Sequence, residues 1–328
     1  MKAPMTRTLG RSGVEVSAMG LGCWAIGGPF WRDGKPVGWG EVDDDESVRA
    51  IHKALDMGVT FFDTADVYGA GRSERVLARA LEGRRDEVVI ASKFGHVFDE
   101  DTKQITGGDA SPEYIRQACE ASLRRLDTDR IDLYQFHLNE YDPEMAPEVR
   151  DTLEDLVSEG KIRAYGWSTV YPERARVFAE GEHCAAAQFQ MNVLDDAPGM
   201  VGLCEAEGLA GINRAPLAMG LLAEKYTPET EVKGADVRSA EGPDWPYFKD
   251  GKASPEWYAR REAVREILTS YGRSLVQGAL CWLWARSDVT IPIPGFRTVA
   301  QVSENARAME CGPLTPAQMA EIDRLLGR

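Results

Sequence analysis

An aspartate, a tyrosine, a lysine and a histidine stand at or just beyond the ends of apolar runs in this sequence, and together they could hand a proton to a carbonyl oxygen. Asp63 closes the run Thr60 to Asp63, and Tyr68 follows in Asp63-Thr64-Ala65-Asp66-Val67-Tyr68-Gly69. Lys93 ends Val88 to Lys93, and His137 ends Ile131 to His137. A phenol, with an ordinary pKa of about 10, is a poor donor at neutral pH. A neighbouring ammonium favours the phenolate and lowers that value, and a carboxylate keeps the ammonium charged in a partly dry pocket. The imidazole can hydrogen-bond the same oxygen. Such a group serves the reduction of a carbonyl when a hydride arrives at its carbon. Singly, each residue also suits a structural role, as a cap, a loop ending or a satisfied strand terminus. The catalytic reading therefore needs an architecture that gathers them.

The remaining pattern predicts one. Thr6 to Leu9 and Val14 to Ser17, joined by Gly10-Arg11-Ser12-Gly13, read as a hairpin at about 6–17. Eight apolar runs then alternate with helical patterns: Ala18 to Leu21, Thr60 to Asp63, Val88 to Lys93, Ile131 to His137, Ile162 to Ser168, Ala185 to Gln188, Leu209 to Arg214 and Thr290 to Ile293. Ser111 to Leu126 is the clearest helix, with a serine to cap it and Pro112 at its first position. Val299 to Met309 is another, with Thr298 and Gln301 in capping-box relation, and a last helix is expected at about 315–326. This alternation predicts an α/β fold, a (β/α)8 TIM barrel forming a single domain over 1–328, with a doubly wound open sheet as the alternative. No Gly-x-Gly-x-x-Gly follows an early strand, which weakens that alternative. In a barrel the carboxyl ends of the strands bear the site, so the four polar residues would converge there. Two aromatic-bearing irregular stretches, Phe30 to Gly40 and about 225–255, are expected to lie as long loops over the same mouth.

Composition narrows the function. A chain of 328 residues that is 43% hydrophobic can bury one large core. The net charge of −15 argues against nucleic acid or an anionic membrane as partner. No apolar run is long enough to span a bilayer and the start lacks a secretory pattern, so a cytoplasmic protein is expected. The cysteines Cys23, Cys119, Cys184, Cys204, Cys281 and Cys311 are scattered, which predicts reduced, buried thiols. His52, His96, His137 and His183 lack metal-ligand spacing, so no metal is expected. The sequence sets neither the oligomeric state nor the physiological substrate.

Several motifs, in order along nearly the whole chain, resemble the aldo-keto reductase family. They are Gly20-Leu21-Gly22-Cys23-Trp24, Phe62 to Gly69, Ser92-Lys93, Ile131-Asp132-Leu133-Tyr134 with His137, Gly166-Trp167-Ser168, and Ile293-Pro294-Gly295. The resemblance implies a catalytic tetrad of Asp63, Tyr68, Lys93 and His137, and a nicotinamide cofactor lying extended over the barrel mouth. It places Ser168, Gln188 and Arg214 toward the nicotinamide and Leu217, Gly220 and Lys225 around the pyrophosphate, and it counts Cys23, Trp24, Asp63 and Thr169 among the cofactor-binding residues. Arg297 would meet a 2′-phosphate beside Gly295 and Gln301, with Glu304 and Asn305 against the adenine. A helix N-terminus and an arginine fork suit a phosphate, so NADPH is favoured over NADH. Two positions depart from the family's pattern: Arg214 stands where relatives have a stacking aromatic, and Thr169 where they have Asn. Arg214 either stacks on the ring or reaches the substrate. Trp24, Trp31, Tyr68, His137 and Trp245 are expected to wall a pocket for an aldehyde, ketone or sugar-like carbonyl. Other readings are a non-catalytic NADPH-binding regulatory subunit, and a lyase or isomerase using Lys93 as a Schiff base.

Overall fold

Alternation along the strands sorts the barrel's interior by height. Side chains two apart share a face, so Phe61 and Asp63, Val89, Ala91 and Lys93, and Leu133, Gln135 and His137 point one way in three neighbouring strands. In each case the apolar residue comes first and the polar one last. The interior therefore grades from an apolar floor to a polar mouth.

The computed structural model describes residues 5–243 and 245–328. Eight parallel strands form one sheet: Leu21–Gly22, Phe61–Asp63, Val89–Phe94, Ile131–Phe136, Ile162–Ser168, Cys184–Gln190, Ala210–Arg214 and Thr290–Pro292. Their spatial order follows the chain, and a parallel bridge between Gly22 and Gly295 joins the last strand to the first. The closure differs from the predicted Ala18 to Leu21 and Thr290 to Ile293 runs for a physical reason. The carbonyls of Pro292 and Pro294 accept from Gly20 N at 3.0 Å and Gly22 N at 3.1 Å, while the two prolines have no amide hydrogens to donate in return. The paired part of the first strand thus slides toward the mouth.

Leu9 and Val16 of the hairpin, whose strands are Thr6–Thr8 and Glu15–Ser17, plug the lower end of the barrel. Its turn is held in place by Arg11, which donates to the carbonyls of Cys184, Ala179 and Gly181. Gly10 permits this contact: a Cβ there would lie 2.1 Å from Ala185 O, and its φ is +48°. Outside the strands, a larger apolar shell of residues such as Ile51, Ile115, Leu153 and Leu280 packs helices against the barrel.

The helix at Pro112–Leu126 starts where predicted, its N-cap Ser111 accepting from Tyr114 N. At Val299–Cys311, Thr298 caps through Gln301 N, but the Gln301 side chain takes the amide of Arg297 rather than that of the cap. Five cysteines are buried and all are free, but Cys311, at the end of that helix, is exposed, contrary to the expectation of buried thiols. The last helix spans Pro316–Leu326. No helix among the described residues is long and apolar enough to cross a membrane.

One structure lies outside the predicted set. Trp31–Arg32, Lys35–Pro36, His96–Asp99 and Gln104–Gly108 form a four-stranded sheet over one side of the mouth. Its first hairpin turns at Asp33-Gly34, with φ of +51° and +74°, a residue pair suited to a two-residue turn. The stretch at about 225–255 also has some order: Phe248–Lys249 pairs with Lys252–Ala253. Arg238 anchors it, paired with Asp236, bonded to Met219 O at 3.0 Å, and 4.6 Å from the ring centroids of both Trp39 and Tyr226.

Candidate active site

Lys93 is the centre of the polar layer. It is fully buried, and its Nζ donates to Asp63 Oδ1 at 2.5 Å, to Thr64 O at 2.7 Å and to Tyr68 Oη at 3.2 Å. These three bonds use all the hydrogens of an ammonium. The other oxygen of Asp63 accepts from Gln135 Nε2 at 2.9 Å and Gln188 Nε2 at 2.7 Å. Burial lowers the affinity of Lys93 for its proton, but Asp63 and Tyr68 outweigh it and hold the ammonium above its ordinary range. A charged amine in this state is a poor nucleophile, which argues against Schiff-base chemistry.

Tyr68 is delivered by a tight turn. The following Gly69 has φ +63°, and a Cβ on it would sit 1.9 Å from Gly27 O. Only a glycine lets the two backbones meet and bring the phenol over the mouth. The Tyr68 ring stacks on Trp24 with centroids 6.1 Å apart and meets His137 edge-on at 5.9 Å. Burial pushes the phenol's pKa up, Lys93 pulls it down, and the net direction is up. The expected lowering is therefore reversed, because desolvation of the phenolate exceeds the pull of an ammonium whose charge Asp63 already offsets. His137 is driven far below its ordinary value by burial, then by His96 and Lys93, so its imidazole is neutral. Its Nδ1 is buried and has no hydrogen-bond partner among the described residues.

Asp63, Tyr68 and His137 face a cavity of about 1200 Å³ that also exposes Trp24, Ser168, Gln188, Arg214, Leu217, Gly220, Lys225, Trp245, Gly295, Arg297, Gln301, Glu304 and Asn305. Lys93 lies behind them. Three predicted side chains do not line it. Cys23 turns into the wall, its thiol toward Leu21 O. Thr169 bonds Asn139 O at 3.0 Å, and Trp31 lies in the accessory sheet beside Pro36. The Gln188 amide, expected toward the nicotinamide, gives its nitrogen to Asp63 and Gln135. Arg214 reaches the cavity, and its Nη1 donates to Gln190 Oε1 at 3.4 Å.

The family model for the Aldo/keto reductase family matches residues 18–326. The chain belongs to this family. It is, with it, an NAD(P)H-dependent oxidoreductase. The aldo-keto reductase YhdN of Bacillus subtilis is 31% identical over 297 residues, 89% of this chain and 84% of that protein. The glycerol dehydrogenase AKR11B4 from Gluconobacter oxydans superposes with a TM-score of 0.83 at 30% identity, covering 100% of this chain and 96% of its own. An aldo-keto reductase from Klebsiella pneumoniae, solved in complex with NADPH, gives 0.69 at 25% identity over 98% and 95%.

Several residues of this aldo-keto reductase site escaped the reading of strand ends. Gln135 shares the inward face of Leu133 and His137, so period two alone could have found it. Arg238, which lines the cavity beside Trp39, lies in a stretch without period. Arg32 and His96 come from the accessory sheet, whose two hairpins are joined by a pairing between residues 73 positions apart, Trp31 and Gln104.

Proposed function

We propose that this aldo-keto reductase uses NADPH to reduce an aldehyde, ketone or sugar-like carbonyl to the alcohol, with Tyr68 as the proton donor. The observation that carries this reading is the hydrogen-bonded chain from Tyr68 Oη through Lys93 Nζ to Asp63 Oδ1 at the edge of the cavity. Tyr68 is protonated at neutral pH, as a donor must be. When its proton leaves, the ammonium 3.2 Å away stabilises the phenolate. Asp63 keeps that ammonium charged, and Gln135 and Gln188 hold the carboxylate in one orientation. His137, neutral and with an unpaired nitrogen, would orient the carbonyl oxygen beside the phenol.

NADPH, when bound, supplies the hydride. The rest of the cavity fits such a cofactor. Ala215, Ala218 and Met219 have φ of +50°, +48° and +54°, left-handed values that non-glycine residues adopt at a cost of about 1–3 kcal/mol each. Strain of this kind clusters where a backbone wraps a ligand. Lys225 stands nearby, and at the far end Arg297 lines the cavity just before the N-terminus of Val299–Cys311, a position that favours a phosphate, with its guanidinium held by the carbonyls of Trp39 and Glu41. We place Ser168, Arg214, Leu217, Gly220, Lys225, Gly295, Arg297, Gln301, Glu304 and Asn305 along the cofactor. The side chains of Cys23 and Thr169 are turned elsewhere.

The test is NADPH consumption with a panel of aldehydes, ketones and oxidised sugars; a purified protein that binds NADPH and turns over none of them would refute the reading. Two further outcomes are expected. Arg297→Ala should weaken NADPH binding by about tenfold or more, the value of a charge-assisted hydrogen bond, while NADH binding changes little. Fluorescence titration with both cofactors reads this, and equal losses would remove Arg297 from the phosphate. Because Tyr68 is raised and His137 lowered, the rate of reduction should stay level from about pH 6 to about pH 9 and fall only as alkali deprotonates the donor. An inflection near neutrality in kcat/KM would assign the proton to another group.

A further inference from the structure

Two cations of the accessory sheet that line the cavity, Arg32 and Lys35, have no counter-ion among the described residues. Arg32 and Lys35 are directly paired in register on the accessory sheet, so their side chains leave the same face. Like charges placed opposite one another destabilise a strand pair, and in a chain of net charge −15 a nearby acid could readily offset them. None does. Among the described residues neither cation has a carboxylate within 4.0 Å, although most of the protein's arginines are paired with one. Asp33, in the turn between them, lines the cavity but makes no ion pair with either.

The position of Arg32 is fixed rather than loose. The backbone of Trp31–Arg32 pairs with Gln104 and Ile105. Its Nη2 contacts His96 Nδ1 at 3.2 Å, and the His96 carbonyl accepts from Tyr114 Oη at 2.7 Å. Burial and the charge of Arg32 depress the pKa of His96 to about 4, so its ring is neutral, Nδ1 accepts, and the other guanidinium hydrogens stay free. The His96 ring in turn meets His137 edge-on, with centroids 5.0 Å apart. A line of contacts therefore runs from the proton-donating end of the cavity to a pair of unneutralised cations.

We propose that the preferred substrates carry an anionic group, a carboxylate or phosphate, several bonds from the carbonyl, and that Arg32 and Lys35 bind it. This rests on the carbonyl-reductase reading above. The two imidazoles that intervene set the spacing. A 2-oxo acid, with its carboxylate next to the carbonyl, is too short; a short chain with carbonyl at one end and acid at the other fits. A guanidinium fork suits either anion, and the exposed ammonium adds charge without fixing geometry.

Matched substrates test this: a short neutral aldehyde, the same chain ending in a carboxylate, and one ending in a phosphate, each assayed with NADPH. The wild type should show kcat/KM about tenfold or more higher for at least one anionic member, the larger value naming the anion. Added salt should shrink the preference. In Arg32→Gln with Lys35→Gln, the ratio of anionic to neutral kcat/KM should fall by about tenfold, chiefly through KM. Equal kcat/KM for neutral and anionic members in the wild type overturns the substrate class while leaving the reductase reading intact. A double variant that loses NADPH affinity instead of the ratio assigns the cations to the cofactor and also overturns it. Failure of every carbonyl to react removes both readings together.

Discussion

Replacing Tyr68 with Phe should lower kcat for carbonyl reduction by about a thousandfold, within the usual range for general acid catalysis, while the Kd for NADPH stays within about twofold. The substitution deletes one oxygen and keeps the ring. Stacking on Trp24 and the edge contact with His137 persist, so the wall of the cavity is preserved. Lys93 loses its bond to Oη but keeps Asp63 Oδ1 and Thr64 O, so the buried ion pair survives. The thermal midpoint should therefore move little. What disappears is a protonated group aimed into the cavity, and a barrier rise of about 4 kcal/mol corresponds to that loss of rate. Single-turnover mixing separates this effect from product release. A variant within tenfold of wild type would show that another donor supplies the proton.

The legible part of this molecule is the part governed by local alternation. Period two in the barrel strands sets which residues look inward, and a polar residue at the end of an apolar run marks the mouth; Asp63, Lys93 and His137 were readable on that basis. The helix caps at Ser111 and Thr298 were also readable, because each satisfies its amides within one turn. The paired part of the first strand was displaced because its partners are the carbonyls of Pro292 and Pro294, a pairing between distant parts of the chain that local alternation does not report. The accessory sheet was invisible for the same kind of reason: Trp31 pairs in parallel with Gln104, a partner 73 positions away. The upward shift of the Tyr68 phenol is not legible in the sequence, because desolvation depends on depth of burial, which a motif does not report.

Lys93→Met should be the most damaging single substitution, and the reason is a charge left behind rather than one removed. Asp63 is buried and loses its ammonium, keeping only the amide donors of Gln135 and Gln188. Breaking a buried ion pair from one side costs about 3–5 kcal/mol, a large share of the stability of an ordinary domain. Chemical denaturation should show that drop, and turnover should fall with it because the phenolate loses its stabilising charge. Stability and catalysis can then be separated. Adding Asp63→Asn to Lys93→Met leaves no bare carboxylate, and a neutral amide can still accept from the glutamines, so most of the lost stability should return. Turnover should not return, since the ammonium beside Tyr68 is still missing. A double variant as unstable as the single one would show that packing around Lys93, not charge, sets the cost. A single variant that turned over normally would break the link between Lys93 and the phenol on which the proposed mechanism depends.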